Sequence, residues 1–137
     1  MRKSVKNERR ETCHCTGNSF SMDMTAIGDK LQGAKVIHNH PDSKDYYGDC
    51  FSMEDFSTFF EYRLKRLEVI SGLGRFVMEY DGPIISSKKA EKLYHSADTI
   101  TLNEAFQTGK PREYEQLKIM EKLNEMVQGL KFRRISK

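Results

Sequence analysis

The sequence predicts a mixed α+β domain with its helices gathered towards the C-terminus. Over residues 1–86, short apolar or alternating segments recur between Gly, Pro, Asn and Asp residues, which is the pattern of strands joined by turns. Apolar residues recur at helical spacing after Ser52 and again in the last third of the chain. Strand patterns followed by helical patterns are typical of α+β domains.

Five segments have the pattern of strands. Residues 9–16 end at a Gly17-Asn18 turn, and residues 19–24 then alternate polar and apolar side chains, so these two segments predict a hairpin. The other three candidates are short apolar runs bounded by turn residues. They are residues 34–38, 67–71 and 75–80.

Three segments have the pattern of helices. Ser52 is a preferred N-cap residue, and the phenylalanines and leucines that follow it at helical spacing are expected to face the core. Residues 87–95 and 111–130 are also predicted to be helical. The apolar stripe of the last helix indicates a core-facing surface, with a partner-binding groove as the alternative. It consists of Leu117, Met120, Leu123, Val127 and Leu130.

The composition indicates one domain without a membrane span. Hydrophobic residues make up 37% of the 137 residues and charged residues 31%, which excludes a wholly disordered chain. No apolar run approaches the roughly 18 residues of a membrane span, and the basic N-terminal segment lacks the apolar core of a secretory signal. The expected location is therefore the cytoplasm, without a membrane partner.

Basic residues crowd both ends of the chain, although the formal net charge is only +3. We interpret these clusters as solvated termini, because neither carries the interleaved aromatic residues on which single-stranded nucleic acids stack. Contact with nucleic acid or an acidic partner is the alternative. The clusters are Arg2, Lys3, Lys6, Arg9 and Arg10 at one end, and Lys131, Arg133, Arg134 and Lys137 at the other.

The three cysteines do not predict a disulfide framework, because their number is odd and no export signal accompanies them. Cys13 and Cys15 alternate with His14, which suits the inward face of a strand, so we interpret them as buried thiols. A zinc site built from these two residues with Cys50 or a histidine is the alternative. Its C-x-C spacing is shorter than the gap of two to four residues that structural zinc sites favour.

The chemically informative segment runs from Val36 to Asp55. His38 and His40 are two positions apart at the end of an apolar strand, so both imidazoles are expected on one face of that strand. Pro41 ends the strand and leaves the pair at an edge that solvent can reach. Asp55, in the first turn of the following helix, can supply a carboxylate. Two imidazoles, one carboxylate and a water make a familiar catalytic zinc site.

A simpler interpretation of the same residues is also open. S-x-x-D before an apolar run is the pattern of a helix capping box, so Ser52 and Asp55 can serve only to begin a helix. Histidines at a strand end can be ordinary hydrogen-bonding residues. The combination of H-x-H, a loop and S-x-x-D favours a metal site, with Zn2+ as the cofactor.

This combination resembles the signature of the JAMM/MPN+ metallopeptidases, which have H-x-H, a loop, S-x-x-D and an upstream glutamate. The form H-N-H-P followed by F-S-x-x-D is still more similar to the bacterial and phage branch. That branch includes RadC-like proteins and the C-terminal domains of some phage head-morphogenesis proteins of the Mu F type. The resemblance covers about residues 8–86. The matching residues are His38, Asn39, His40, Pro41, Phe51, Ser52 and Asp55.

The resemblance implies an α-β-α domain of the MPN/JAB-like, cytidine-deaminase-like type, with a mixed sheet and flanking helices. Residues 1–86 would form its catalytic core, and residues 87–137 a helical extension packed on that core within a single domain. It also implies that His38, His40 and Asp55 are the zinc ligands.

A further implication concerns the catalytic groups, with Ser52 helping to hold the oxyanion and an upstream glutamate acting as the general base. Residues 11–17 resemble the E-x-x-G-x-x-G strand of the family, with His14 in place of a glycine, so Glu11 is the favoured base. Glu8, three residues earlier, would lie on the opposite face of a regular strand. Glu8 as the base, or a glutamate without a catalytic role, are the alternatives.

The expected activity is hydrolysis of a peptide or isopeptide bond. Zinc would lower the pKa of its bound water from about 15.7 towards roughly 7, and Glu11 would accept the proton and deliver it to the leaving amine. The substrate would be a peptide or a protein, such as a ubiquitin-like or a phage structural protein. Two other classes are open: a non-catalytic metal-binding or phage-assembly interaction module, and a RadC-like DNA-associated protein.

Overall fold

A computed structural model describes residues 2–6, 12–16, 32–39 and 49–136 of the chain, the first two ranges by their backbone alone. The predicted α+β class is confirmed by the strands and helices in these ranges. In chain order they are β1 (Arg2–Lys6), β2 (Thr12–Thr16), β3 (Lys35–Asn39), α1 (Met53–Glu61), β4 (Arg66–Ser71), β5 (Gly74–Tyr80), α2 (Ser87–Thr108), α3 (Glu115–Met126) and β6 (Leu130–Ser136).

The described strands form one mixed sheet in the order β2-β1-β3-β4-β5-β6. β3 and β4 are parallel, and the chain between them contains α1, as a parallel crossover requires. The other neighbouring pairs in this sheet are antiparallel. In a strand–helix–strand unit, the C-terminal end of the first strand and the N-terminus of the helix lie at the same edge of the sheet. The unit therefore brings the end of β3 and the start of α1 together.

The sheet has two chemically different faces. Residues paired directly across neighbouring strands share a face, and one such row contains His38, Val69 and Phe76. All three are buried, and we call their side the inner face. The adjacent row, which contains Glu68 and Val77, belongs to the opposite side, the outer face.

The described helices bury apolar side chains in the same core as the inner face. Phe60 of α1 makes edge-to-face contacts with Phe56 and Phe59, at 5.0 and 5.1 Å between ring centroids. The core-facing interpretation of the C-terminal stripe is confirmed, because Leu117 is partly buried and its four other members are buried. None of the described helices combines the length and the apolarity that a membrane crossing requires.

The second helix is longer than the sequence predicted, since α2 continues past His95 to Thr108. The additional turns lack an apolar stripe that faces the core, because their buried residues are small or polar while Ile100, Leu102 and Phe106 are exposed. Gly109 ends the helix with φ 71°, a left-handed C-cap conformation that favours glycine. The buried residues are Ala90, Tyr94, Ala97 and Thr101.

The last helix is shorter than predicted, and the chain turns from it into β6. Gly129 has φ 93°, and a Cβ atom built there would lie 2.7 Å from the backbone nitrogen of Gly82. Only glycine fits both this conformation and this close approach. After the turn, Leu130 and Phe132 alternate towards the core at the period of a strand. The described part of the C-terminal basic cluster therefore lies in a paired strand with exposed basic side chains, and its interpretation as a solvated terminus stays a prediction.

The N-terminal basic cluster also contains a strand that the sequence did not predict. β1 pairs with both β2 and β3, but Val5 is its one apolar residue, so no alternation signalled it. The strand predicted over residues 9–16 is found over 12–16, with β1 as its antiparallel partner. The hairpin partner expected at residues 19–24 lies outside the described residues.

Candidate metal centre

His38 lies near the C-terminal end of β3, with its side chain on the inner face. Its exposed fraction is 1%, and Val36, two positions earlier, is also buried. Asn39, the residue after His38, is exposed. The two side chains therefore lie on opposite faces of the strand, as the strand pattern predicted. β3 therefore places the His38 imidazole in the interior, at the edge of the sheet where α1 begins.

The helix α1 begins with a complete capping box. The Ser52 Oγ accepts a hydrogen bond of 3.1 Å from the backbone N–H of Asp55, and the Ser52 N–H donates at 3.0 Å to Asp55 Oδ2. The simpler interpretation of S-x-x-D is therefore correct for the start of the helix. The capping box uses one oxygen of the Asp55 carboxylate, Oδ2.

The other carboxylate oxygen faces the histidine. Asp55 Oδ1 lies 3.3 Å from His38 Nε2, and the two side chains are 14% and 1% exposed. The capping box holds the carboxylate from the opposite side, so the start of the helix fixes the direction in which Oδ1 points. The fold thus brings together two of the three predicted ligands.

The third predicted ligand, His40, lies outside the described residues, as do Glu8 and Glu11. Within the described part of the chain, no group of three or more His, Cys, Asp or Glu residues is placed to hold a metal ion. A three-ligand site therefore requires at least one residue whose side chain the structure does not describe, and His40 stays the predicted one.

The register of β2 gives the position of the strand that follows Glu11 in the chain. Thr12, which follows Glu11 in the chain, lies in the row that contains Lys35 at the start of β3. His38 is three residues further along β3, which corresponds to about 10 Å of strand. β2 therefore begins at the end of the sheet remote from His38. Glu11 itself lies outside the described residues, and its role as the base stays a prediction.

The segment that precedes α1 is held by helices from the last third of the chain. The Tyr94 hydroxyl of α2 donates a buried hydrogen bond of 2.7 Å to the carbonyl oxygen of Phe51. The backbone N–H groups of Leu117 and Gln116 in α3 donate to the Asp49 carboxylate at 2.8 and 3.3 Å. Both helices therefore position the chain immediately before the capping box.

Asp49 gives α3 the N-cap that it lacks locally. Tyr114 occupies the N-cap position with φ 52° and makes no side-chain capping bond. The Asp49 carboxylate instead accepts from the second and third helical residues, as an N-cap side chain does. The sequence did not indicate this contact because the partners are 67 and 68 residues apart. The available signal was the lack of a capping residue before Glu115.

Cys50, next to Asp49, is fully buried. Burial raises the pKa of its thiol well above the ordinary value of 9.0, and the nearby carboxylates of Asp49 and Asp55 raise it further. The residue has the properties of a structural thiol.

Comparison of the chain with models of protein families, with curated proteins and with solved structures finds no match.

Proposed function

We propose that the chain is a zinc-dependent hydrolase of the JAMM/MPN+ type, which cleaves a peptide or isopeptide bond. Its zinc ligands are His38, His40 and Asp55. The α-β-α, MPN/JAB-like architecture belongs to the same proposal, and the described residues supply a mixed sheet and helices on its inner face.

The observation that carries the proposal is the separation of 3.3 Å between His38 Nε2 and Asp55 Oδ1. Zinc bonds of about 2.0–2.2 Å to nitrogen and oxygen, arranged tetrahedrally, place two ligand atoms about 3.3–3.6 Å apart. A charge-assisted hydrogen bond between the same groups is typically shorter, about 2.7–2.9 Å. The spacing of this buried pair therefore fits two corners of a zinc site.

The chemistry of the donor set also supports zinc. Two imidazoles and one carboxylate leave a fourth position open, which is the composition of catalytic rather than structural zinc sites. When bound there, zinc would act as a Lewis acid and make water nucleophilic near neutral pH. The anionic ligand lies in the first turn of α1, where the helix dipole stabilises negative charge.

The capping box gives Ser52 and Asp55 separate tasks in the proposal. Asp55 Oδ2 accepts the Ser52 N–H, which orients Oδ1 towards the imidazole. The Ser52 Oγ accepts the Asp55 N–H, and a hydroxyl group that accepts one bond can still donate its own hydrogen. That hydrogen would stabilise the negative charge that develops on the carbonyl oxygen of the substrate.

The proposed general base is Glu11, with Glu8 as the competing candidate. A base would take a proton from the attacking water and return it to the leaving amine. The proposed substrate is a peptide or protein, and a ubiquitin-like fusion and a phage structural protein are the two protein substrates to try first.

Cleavage of a peptide library and of a ubiquitin-like fusion tests the activity. We expect cleavage that stops in chelator and returns when zinc is added. His38→Ala should be inactive, whereas the matched control His95→Ala should be active, because His95 is exposed on α2. Cleavage that persists in chelator, or that survives in His38→Ala, would contradict the proposal.

A further inference from the structure

The outer face of the sheet gathers basic side chains from four strands. Alternation along each strand places Lys35, Arg66, Arg75, Lys131 and Arg133 on this face, and we call them the outer basic face. Lys35, Arg66 and Lys131 lie in one row across the sheet, in which Glu79 stands between the last two. The sequence indicated only the C-terminal members as a basic cluster, because the other residues of this surface are distant from them in the chain.

Two of these arginines are held in a fixed arrangement by one buried carboxylate. Arg66 Nε donates to Glu68 Oε1 at 2.8 Å, and Arg75 Nε donates to Glu68 Oε2 at 3.0 Å. The Nη2 groups of both arginines donate to the same oxygens. Among the described contacts, Glu68 therefore engages Nε and Nη2 of each arginine and leaves both Nη1 groups available to an acceptor.

The carboxylates of this face do not cancel its charge. Among the strand residues whose side chains the structure describes, five cations share the face with two carboxylates, Glu68 and Glu79. Arg133 pairs with Glu79 at 3.2 Å, and Lys131 pairs with Asp81 at 3.0 Å with both side chains more than 60% exposed. Exposed pairs of this kind are weak and are easily exchanged for another anion.

The shape of the surface favours a polyanion with regularly spaced charges. Neighbouring strands are about 4.8 Å apart, so the row from Lys35 to Lys131 spans about 14 Å, or roughly four phosphates of one strand measured along a duplex axis. Guanidinium groups bind phosphate oxygens in a bidentate manner. The described part of this face carries no aromatic side chain, so it offers contacts to phosphates rather than a surface for stacked bases.

We propose that the outer basic face binds the phosphodiester backbone of nucleic acid, without selecting a base sequence. Arg66 and Arg75, oriented by Glu68, supply its centre, and Lys35, Lys131 and Arg133 extend it across the sheet. The outer basic face is separate from the proposed zinc site, because His38 lies on the inner face.

Two triple variants of the full chain, matched in charge, test this proposal. Lys35→Gln, Lys131→Gln and Arg133→Gln together remove three outer cations, whereas Lys88→Gln, Lys92→Gln and Lys110→Gln remove three exposed cations from α2 and the turn that follows it. The probe is a labelled duplex DNA of about 20 base pairs, titrated by fluorescence anisotropy at about 50 and 200 mM salt.

Wild-type protein should bind the duplex at the lower salt and release it as salt rises. The outer triple variant should bind at least 10-fold more weakly, and the slope of log K against log salt should fall by roughly three. The α2 triple variant should bind within twofold of wild type. Equal weakening by both triples would reduce the effect to net charge and overturn the proposal, as would the absence of wild-type binding at the lower salt. Tighter binding of poly-glutamate than of duplex to the same face would overturn it in favour of an acidic protein partner.

Discussion

The backbone N–H of Leu117 donates a hydrogen bond of 2.8 Å to the carboxylate of Asp49, which is 68 residues earlier in the sequence. This bond joins the first turn of α3 to the segment that leads into α1. Two residues further along that segment, the carbonyl oxygen of Phe51 accepts the Tyr94 hydroxyl of α2. The C-terminal helices thus determine where the capping box, and with it the Asp55 carboxylate, lies relative to His38.

Replacing Asp49 by Ala should lower the free energy of unfolding by about 0.5–2 kcal/mol, the usual cost of removing an N-cap side chain. The N–H groups of Gln116 and Leu117 would lose their acceptor. Asp49→Asn keeps an acceptor oxygen and should cost clearly less. Urea denaturation measures both variants, and equal losses would show that the charge of Asp49, rather than its capping bonds, stabilises α3.

The Ser52→Ala variant should show whether Ser52 acts in catalysis as well as in the capping of α1. Loss of the Ser52 Oγ acceptor should cost about 0.5–2 kcal/mol of stability, and loss of an oxyanion donor should lower turnover by roughly 10²–10³-fold. The matched control is Ser86→Ala, because the Ser86 Oγ caps α2 in the same way, at 3.1 Å from the backbone nitrogen of Lys89. The control should lose comparable stability and keep its turnover. An equal loss of turnover in both variants would assign Ser52 a structural role alone.

Glu68 should make stability depend on pH in the acid range. Burial raises the pKa of its carboxyl group, but hydrogen bonds from Arg75 and Arg66 outweigh burial and hold the pKa below the ordinary value of 4.5. A depressed pKa contributes stability that is present above 4.5 and is lost as the pH falls through the folded-state value.

A Glu68→Gln variant checks this dependence. Wild type should exceed it in free energy of unfolding at about pH 6, and the difference should narrow as the pH approaches about 3. The exposed substitution Glu113→Gln serves as the control and should leave the pH profile unchanged. A difference that stays constant with pH would mean that the carboxylate charge of Glu68 does not contribute.

The general base is tested by the pair Glu11→Gln and Glu8→Gln. Glutamine keeps the size of the side chain but cannot accept the proton, so Glu11→Gln should lower turnover by roughly 10²–10⁴-fold with unchanged zinc content. Glu8→Gln should be close to wild type. The reverse result would assign the role to Glu8, and full activity in both variants would show that neither glutamate is the catalytic base.

The sequence predicted those parts of the site that form from neighbouring residues alone. The apolar strand before His38 and the S-x-x-D start of α1 need only their own residues to form, so the strand alternation, the N-cap and the core-facing helix were all found from sequence. The position of Asp55 next to His38 followed from the chemistry of the pattern rather than from any local structural rule.

Contacts between distant segments were beyond sequence reasoning. β1 has a single apolar residue and exists as a strand because β2 and β3 pair with it on both sides. The sequence did not predict β6, because Leu130 continues the apolar stripe of the preceding helix. The turn at Gly129 before β6 depends on a close approach to Gly82, which is distant in the chain. The capping of α3 by Asp49 and the convergence of Arg66 and Arg75 on Glu68 likewise arise only from the packed chain.

Metal analysis of purified protein tests the central claim most directly. Protein prepared without chelator should carry about one zinc ion per chain. The His38→Ala, His40→Ala double variant should lose most of the zinc, and so should Asp55→Asn, although asparagine can still accept the Ser52 N–H and begin the helix. The controls His95→Ala and Asp81→Asn, both at exposed positions, should retain it, as should the Cys13→Ala, Cys15→Ala double variant. Full zinc content in the histidine double variant, with loss of zinc from the cysteine variant, would contradict the account and place the metal at the cysteines.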